Sequence, residues 1–301
     1  MKTFECKRII VAIDFSEISM KAAKQAALIA KKNNAILHLV HVVDKHYESF
    51  AIIDPLFFSK DFYTNIADKA TVKIATLAED LQKEFGIKTY THVTVGSISE
   101  DVLKSAKELH ADIIVMGTHG YKPIESLIIG SNAYRVLSKS KKPVLVLSEK
   151  STESNIQKIL MPIGTSIVSR YKVDYTLSLA HKFNAKVSVL LIIGDDEQDE
   201  LSKMKVVLKQ IEKEAEKYNV QIESFIKDKV NNGVRTIIDF LKDNKNDMVV
   251  LMDEGDAQET GIFWGVVSQQ ILHHAPVPLL SIYPEHIGLS PDSGLSAATG
   301  I

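Results

Sequence analysis

Cysteine is almost missing from this chain: Cys6 is the single one in 301 residues. One thiol excludes an intrachain disulfide framework and fits a reducing compartment. No apolar run reaches the roughly 18 residues that a membrane span needs. The opening Met1-Lys2-Thr3-Phe4-Glu5 leads straight into a short apolar strand without the hydrophobic stretch of a signal peptide. A cytoplasmic location without membrane attachment is therefore expected. Charge of one sign is not concentrated either. The 36 basic and 38 acidic residues are dispersed and give a net charge of −2, which argues against a nucleic-acid groove. The ten histidines show no metal-ligand spacing, and His273 and His274, adjacent on a predicted helix, point to different faces.

What is present is ordinary globular material, 45% hydrophobic and 25% charged, in a chain too long for one core to be the first expectation. The length is explained by a repeat. Arg8-Ile-Ile-Val-Ala-Ile-Asp14 is echoed by Lys158-Ile-Leu-Met-Pro-Ile-Gly164, and Ala35-Ile-Leu-His-Leu-Val-His-Val-Val43 by Ala185-Lys-Val-Ser-Val-Leu-Leu-Ile-Ile193. Ala111–Gly117 is matched by Asn246–Met252, and Lys142–Leu147 by Val277–Ile282. These short apolar runs have the look of strands buried on both faces. Helical patterns lie between them, as in Met20–Lys32 with Ala23, Ala26, Ala27 and Ala30 on one face, and in Asn65–Phe85.

Each copy reads as alternating strands and helices, which predicts two tandem α/β domains, each an open-twisted, five-stranded parallel sheet of the Rossmann-like doubly wound kind. The polar stretch Glu149–Asn155 places the boundary so that the domains are 1–149 and 150–285. Asp44–Asp61 reads as a loop peculiar to the first copy, and 286–301, rich in Ser, Gly and Ala, as a disordered tail.

Ligands in such sheets bind beyond the carboxyl ends of the strands, near the switch in strand order. There the first copy carries Gly117-Thr-His119-Gly120, nine residues, and then Gly130-Ser131 opening a helix with Asn132 and Ala133. Glycines let backbone N–H groups approach an anion, and a helix N-terminus adds free donors and about half a positive charge. Each residue also has an ordinary reading. The glycines alone could be turn and helix-entry residues, Ser131 an N-cap candidate, and Asp14 a cap for the following helix through Ser16 and Glu17. His119, with no nucleophile or carboxylate partner identifiable from spacing, reads as a contact or solvated side chain rather than a catalyst.

The spacing Gly-x2-Gly-x9-Gly-Ser after a strand resembles the ATP-binding signature of universal stress proteins. The ending Val11-Ala-Ile-Asp-Phe-Ser16, the Leu39-Val-His-Val42 strand and the closing Lys142-Pro-Val-Leu-Val146 resemble that family too, so the likeness covers the whole first copy. It implies a stress-response or regulatory protein that binds ATP. Asp14 would accept hydrogen bonds from the nucleotide at its adenosine end, with Ala12, Ile13 and Val42 walling the adenine. Met116, Gly117, Gly120, Gly130, Ser131, Asn132 and Ala133 would line the ribose and phosphates, and Mg²⁺ would ride on the phosphates with few protein ligands. The output would be a change of affinity for a protein partner when ATP orders 121–129. The P-loop Gly-x4-Gly-Lys-Ser/Thr is absent, so at most slow ATP hydrolysis is expected.

The second copy departs from the signature. Met252 falls at Gly117, Asp253 and Glu254 at Thr118 and His119, Val266 at Ser131 and Gly164 at Asp14, while Gly255 and Gly265 are retained. The expectation is a second domain that binds no nucleotide and serves as the built-in dimer partner of the first. Further pairing into a homodimer stays open. Phe263-Trp264 reads as a plug for the lost pocket, as part of an interface, or as an ordinary buried aromatic pair.

Overall fold

The computed structural model describes residues 4–45, 60–118, 130–151, 153–195, 200–252 and 266–283. The chain divides into two compact units, one of Cys6–Asn155 with Ala275–Pro278, the other of Met1–Glu5, Ile156–His274 and Leu279–Ile301.

The first unit runs β1 (Arg8–Ala12), α1 (Glu17–Asn33), β2 (Ile36–Asp44), α2 (Lys60–Phe85), β3 (Lys88–Gly96), α3 (Ile98–Glu108), β4 (Ile113–Gly117), α4 (Ser131–Lys139) and β5 (Val144–Leu147). Its strands are all parallel, in the order β3-β2-β1-β4-β5. The central strand explains the pattern: Ile9, Ile10 and Val11 have no solvent exposure, as a strand covered by helices on both faces requires. Helix α1 is capped by Ser16, whose Oγ accepts from the Ser19 N–H at 3.2 Å. It ends where Asn34, at φ 50°, turns left-handed and donates its N–H to Ala30 and Lys31.

The second unit repeats this order with β6 (Lys158–Ile163), α5 (Val173–Phe183), β7 (Lys186–Gly194), α6 (Glu200–Tyr218), β8 (Ile222–Val230), α7 (Gly233–Asn244), β9 (Met248–Met252), α8 (Val266–His274) and β10 (Leu279–Ile282). Its parallel sheet is ordered β8-β7-β6-β9-β10. The repetition extends to single hydrogen bonds. Asn184 closes α5 at φ 53° as Asn34 closes α1. Asp112 Oδ2 accepts from the N–H groups of Lys7 and Arg8 at 2.7 and 2.9 Å, and Asp247 Oδ2 from those of Gln157 and Lys158, both at 2.9 Å. Each aspartate thus stitches the start of its fourth strand to the start of its first.

Three details differ from the sequence reading. Helices α1 and α2 start earlier than Met20 and Asn65, at Glu17 and Lys60; for α1, Ser16 supplies an N-cap that apolar periodicity does not register. The stretch expected as a loop at 44–61 is framed by β2, which continues through Asp44, and by α2, which starts at Lys60, while 46–59 lies outside the described residues. The third strands, β3 and β8, were counted in each five-stranded copy but not located in the sequence, because their residues are half-exposed or exposed and many are polar. Phe4 belongs with the second unit: its ring meets Tyr175 edge-on at 5.6 Å, and its N–H donates to Ser178 Oγ at 2.6 Å.

Candidate functional site

Strand order places the site. From β1 the chain moves one way through α1 to β2 and through α2 to β3, then returns through α3 to β4 on the other side of β1. The crevice at this reversal lies between the carboxyl ends of β1 and β4. Ala12, Ile13 and Asp14 leave β1 there, and Met116, Gly117 and Thr118 leave β4.

Asp14 is half-buried and divides its carboxylate. Oδ1 accepts from the Ser16 N–H at 2.9 Å and from the Ser16 hydroxyl at 2.6 Å, so one oxygen braces Ser16, which is itself the cap of α1, and the expected bond to Glu17 is not made. Oδ2 has no partner among the described residues. Phe15, next in the chain, sits at φ 63°, a left-handed conformation unusual for a non-glycine residue. Its ring packs 4.9 Å from that of His41, and Lys73 Nζ lies 4.3 Å above it. His41 Nδ1 is 2.7 Å from the Ile13 carbonyl. Because a carbonyl only accepts, Nδ1 carries the proton.

Across the crevice the chain returns to the end of β4. The Thr118 N–H donates to Leu147 and the Gly130 N–H to Thr118, both at 2.9 Å. Gly130 is the N-cap of α4, and no side chain caps that nine-residue helix. The N–H groups of Ser131, Asn132 and Ala133 make no hydrogen bond among the described residues. Ser131 is exposed, Asn132 half-buried and Ala133 buried. Ile13, Val42 and Met116 are buried side chains and Ala12 is half-buried. Asp14, Gly117, Gly130 and Ser131 therefore border one crevice. His119, Gly120 and the expected switch segment 121–129 lie outside the described residues.

Gly117 has a packing reason to be glycine. A Cβ there would lie 2.5 Å from Ile18 Cγ2 and 3.2 Å from Ile18 Cβ, so the first turn of α1 rests directly on the end of β4. The second unit is built differently here. Met252 stands at the corresponding position, and α5 begins only at Val173, after a 3-10 turn at Val168–Arg170. Its end, Phe183, still matches Asn33 of α1. Gly164 carries no carboxylate, and Asp253, Glu254, Gly255, Phe263, Trp264 and Gly265 lie outside the described residues.

Sequence reasoning did not single out Phe15, His41 or Lys73. The signal available was His41 itself, a polar residue inside an apolar strand one position before Val42. Among the described residues no group of three or more His, Cys, Asp or Glu could hold a metal ion, and no helix is long and apolar enough to cross a membrane.

Comparison with known proteins agrees with the repeat. The model of the universal stress protein family matches residues 5–148 and again 155–282. The universal stress protein MJ0531 of Methanocaldococcus jannaschii is 30% identical over 148 residues, 49% of this chain and 85% of the relative. MJ0577 of the same organism, also a universal stress protein, is 29% identical over 157 residues, 48% of this chain and 97% of the relative. Each relative therefore corresponds to one repeat. Among solved structures, a universal stress protein from Archaeoglobus fulgidus matches 93% of this chain and 97% of its own with a TM-score of 0.74 at 16% identity, a likeness of fold.

Proposed function

The chain belongs to the universal stress protein family, and from that premise we propose that its first repeat binds ATP with Mg²⁺ and acts in a regulatory, stress-response role. The observation that carries the reading is the pairing, across one switch-point crevice, of a carboxylate with an unengaged oxygen on Asp14 and an uncapped helix N-terminus at Gly130–Ala133. The two ends suit the two ends of a nucleotide. Asp14 Oδ2 accepts from the adenosine portion, with Ala12, Ile13 and Val42 as apolar wall. The N–H groups and the partial positive charge at the start of α4 take the phosphates. Magnesium would ride on the phosphates with few protein ligands. These groups bind and orient; the output is a change in affinity for a protein partner.

The second repeat, on this reading, binds no nucleotide. Gly164 offers no acceptor, Met252 replaces the first signature glycine, and Asp253 and Glu254 bring carboxylates to the positions of Thr118 and His119. Each carboxylate near a phosphate costs about 1 to 4 kcal/mol in wet surroundings.

Calorimetric titration of nucleotide-stripped protein with Mg-ATP tests both parts. The expected result is one site per chain, abolished by Gly130→Asp, which puts a negative charge at the phosphate end while leaving an N-cap as good as glycine. Two sites per chain would overturn the assignment of the second repeat. No binding at all would overturn the ATP reading and favour a nucleotide-free interaction module.

A further inference from the structure

We infer that His41, with Phe15 and Lys73, forms a positioning clamp that fixes the Asp14 carboxylate for the adenosine end of the nucleotide. The inference rests on the nucleotide reading above and adds three residues to it, none of which touches the ligand in that reading. The turn that presents Asp14 is unfavourable on its own. Phe15 must adopt φ 63°, where a side chain is disfavoured and only surrounding structure can hold it. Three contacts converge on this turn from two other elements. From β2, His41 donates Nδ1–H to the Ile13 carbonyl at 2.7 Å and lays its ring against Phe15 at 4.9 Å. From α2, Lys73 stands over the same ring at 4.3 Å. The residues on either side of Asp14 are therefore held from outside the loop, while Ser16 holds its Oδ1. Oδ2 is left at a fixed place on the crevice.

The second repeat is an internal control. Strand alignment puts Thr165 at Phe15 and Leu191 at His41. Thr165 does not adopt the left-handed conformation, and leucine has no proton to donate to a carbonyl. The strained turn and its histidine are thus missing from the one repeat that also lacks the aspartate, at Gly164. A residue needed only to pack the sheet would have no reason to go with the aspartate. Indeed Leu191 is fully buried in a strand that pairs in the same way as β2.

The test compares Mg-ATP with Mg-tripolyphosphate, which keeps the phosphate end and lacks adenosine, as ligands for the full chain. His41→Leu installs the second repeat's residue. It should weaken ATP about tenfold, the size of one lost hydrogen bond with its positioning effect, and leave tripolyphosphate affinity unchanged. His41→Asn places an amide N–H near the position of Nδ1 and should recover most of the loss. Lys73→Met lies on the exposed face of α2, where folding is not at risk, and should weaken ATP by roughly threefold. Failure of unsubstituted protein to bind ATP would remove the underlying nucleotide reading. ATP binding that is indifferent to both His41→Leu and Lys73→Met would overturn the clamp alone. Equal loss of ATP and tripolyphosphate, or no recovery with asparagine, would reduce His41 to a structural residue and overturn it too.

Discussion

Adding one methyl group at Gly117 should destabilise the first repeat before any ligand is present. The new Cβ would meet Ile18 Cγ2 at 2.5 Å, Ile18 Cβ at 3.2 Å and the Ile18 backbone carbon at 3.5 Å. A β-branched residue in the first turn of a helix has one strongly preferred rotamer, so Ile18 cannot swing aside. Relief must come from moving α1 off β4. Overpacking of this kind costs about 1 to 3 kcal/mol, and the reduced freedom of the unfolded chain returns about 0.4 to 1, so Gly117→Ala should cost a net of about 1 to 2 kcal/mol. The cause can be isolated with a double-mutant cycle. Ile18, 7% exposed, loses roughly 2 to 5 kcal/mol on truncation to alanine. With Cγ2 gone the severe clash is removed and only the 3.2 Å approach of the two Cβ atoms is left to relax, so the double variant should be more stable than the sum of the singles by about 1 to 2 kcal/mol. Because two domains need not unfold as one, native-state hydrogen exchange of β1 and β4 amides is the assay that reads the first repeat by itself. Additivity within about 0.5 kcal/mol, or a neutral Gly117→Ala, would refute the packing argument. If the cycle behaves as expected, loss of ATP binding in a Gly117 variant cannot be assigned to a lost phosphate contact alone.

The staples at Asp112 and Asp247 should be energetically equivalent. Each accepts two backbone N–H groups, and alanine at either position should cost its own repeat about 1 to 2 kcal/mol by the same exchange assay, with the other repeat unaffected. His38 and His92 predict acid sensitivity. Their rings are in contact, Nδ1 to Nε2 at 3.0 Å. Burial lowers the pKa of both, and the neighbouring His92 and Arg8 lower that of His38 further. The folded chain therefore binds fewer protons than the unfolded chain as pH falls through about 6.5. Stability is complete above that value and declines below it toward the lowered folded pKa values. His38→Ser, the residue found at 188 in the second repeat, should flatten the dependence of first-repeat stability on pH between 7 and 5; an unchanged slope would refute it.

Four strands of each copy were legible because buried parallel strands are short apolar runs and the repeat supplies each of them twice. Where the strand is not buried the signal fades: β3 and β8, at one edge of their sheets, were counted but could not be located. The candidate site was legible where its chemistry is local. A glycine before a helix, and an aspartate after a strand, can be read from neighbours in the chain, as Gly130 and Asp14 were. Asp14 also shows why two readings of one residue need not compete, since Oδ1 caps the turn through Ser16 and Oδ2 stays available. The clamp was not legible because it joins residues from three elements, and because nothing in the word Phe15 announces a left-handed backbone. Gly117 was assigned to phosphate on family spacing, while its contact with Ile18 depends on the three-dimensional course of α1.

That contact also explains why the second repeat differs over a whole segment rather than at isolated positions. In the first repeat α1 begins at Glu17, three residues after Asp14, and its first turn uses the space left by a missing side chain at Gly117. Met252, 9% exposed, brings a side chain to the equivalent place. A helix starting at the matching position, Ile167, would have to share that space with a thioether. Instead the chain makes a 3-10 turn at Val168–Arg170 and begins α5 at Val173. Ser166 and Ser169 keep the serine turn of Ser16 and Ser19, with Ser166 Oγ accepting from the Val168 N–H at 3.3 Å and the Ser169 hydroxyl donating to the Ser166 carbonyl at 2.7 Å, but Thr165 lacks the left-handed conformation of Phe15, so an aspartate at 164 would not be aimed as Asp14 is. Loss of the glycine, of the early helix, of the strained turn and of the carboxylate are then linked consequences of packing. Restoring one residue, as in Gly164→Asp, should not restore a nucleotide site, because the turn that would aim it is absent.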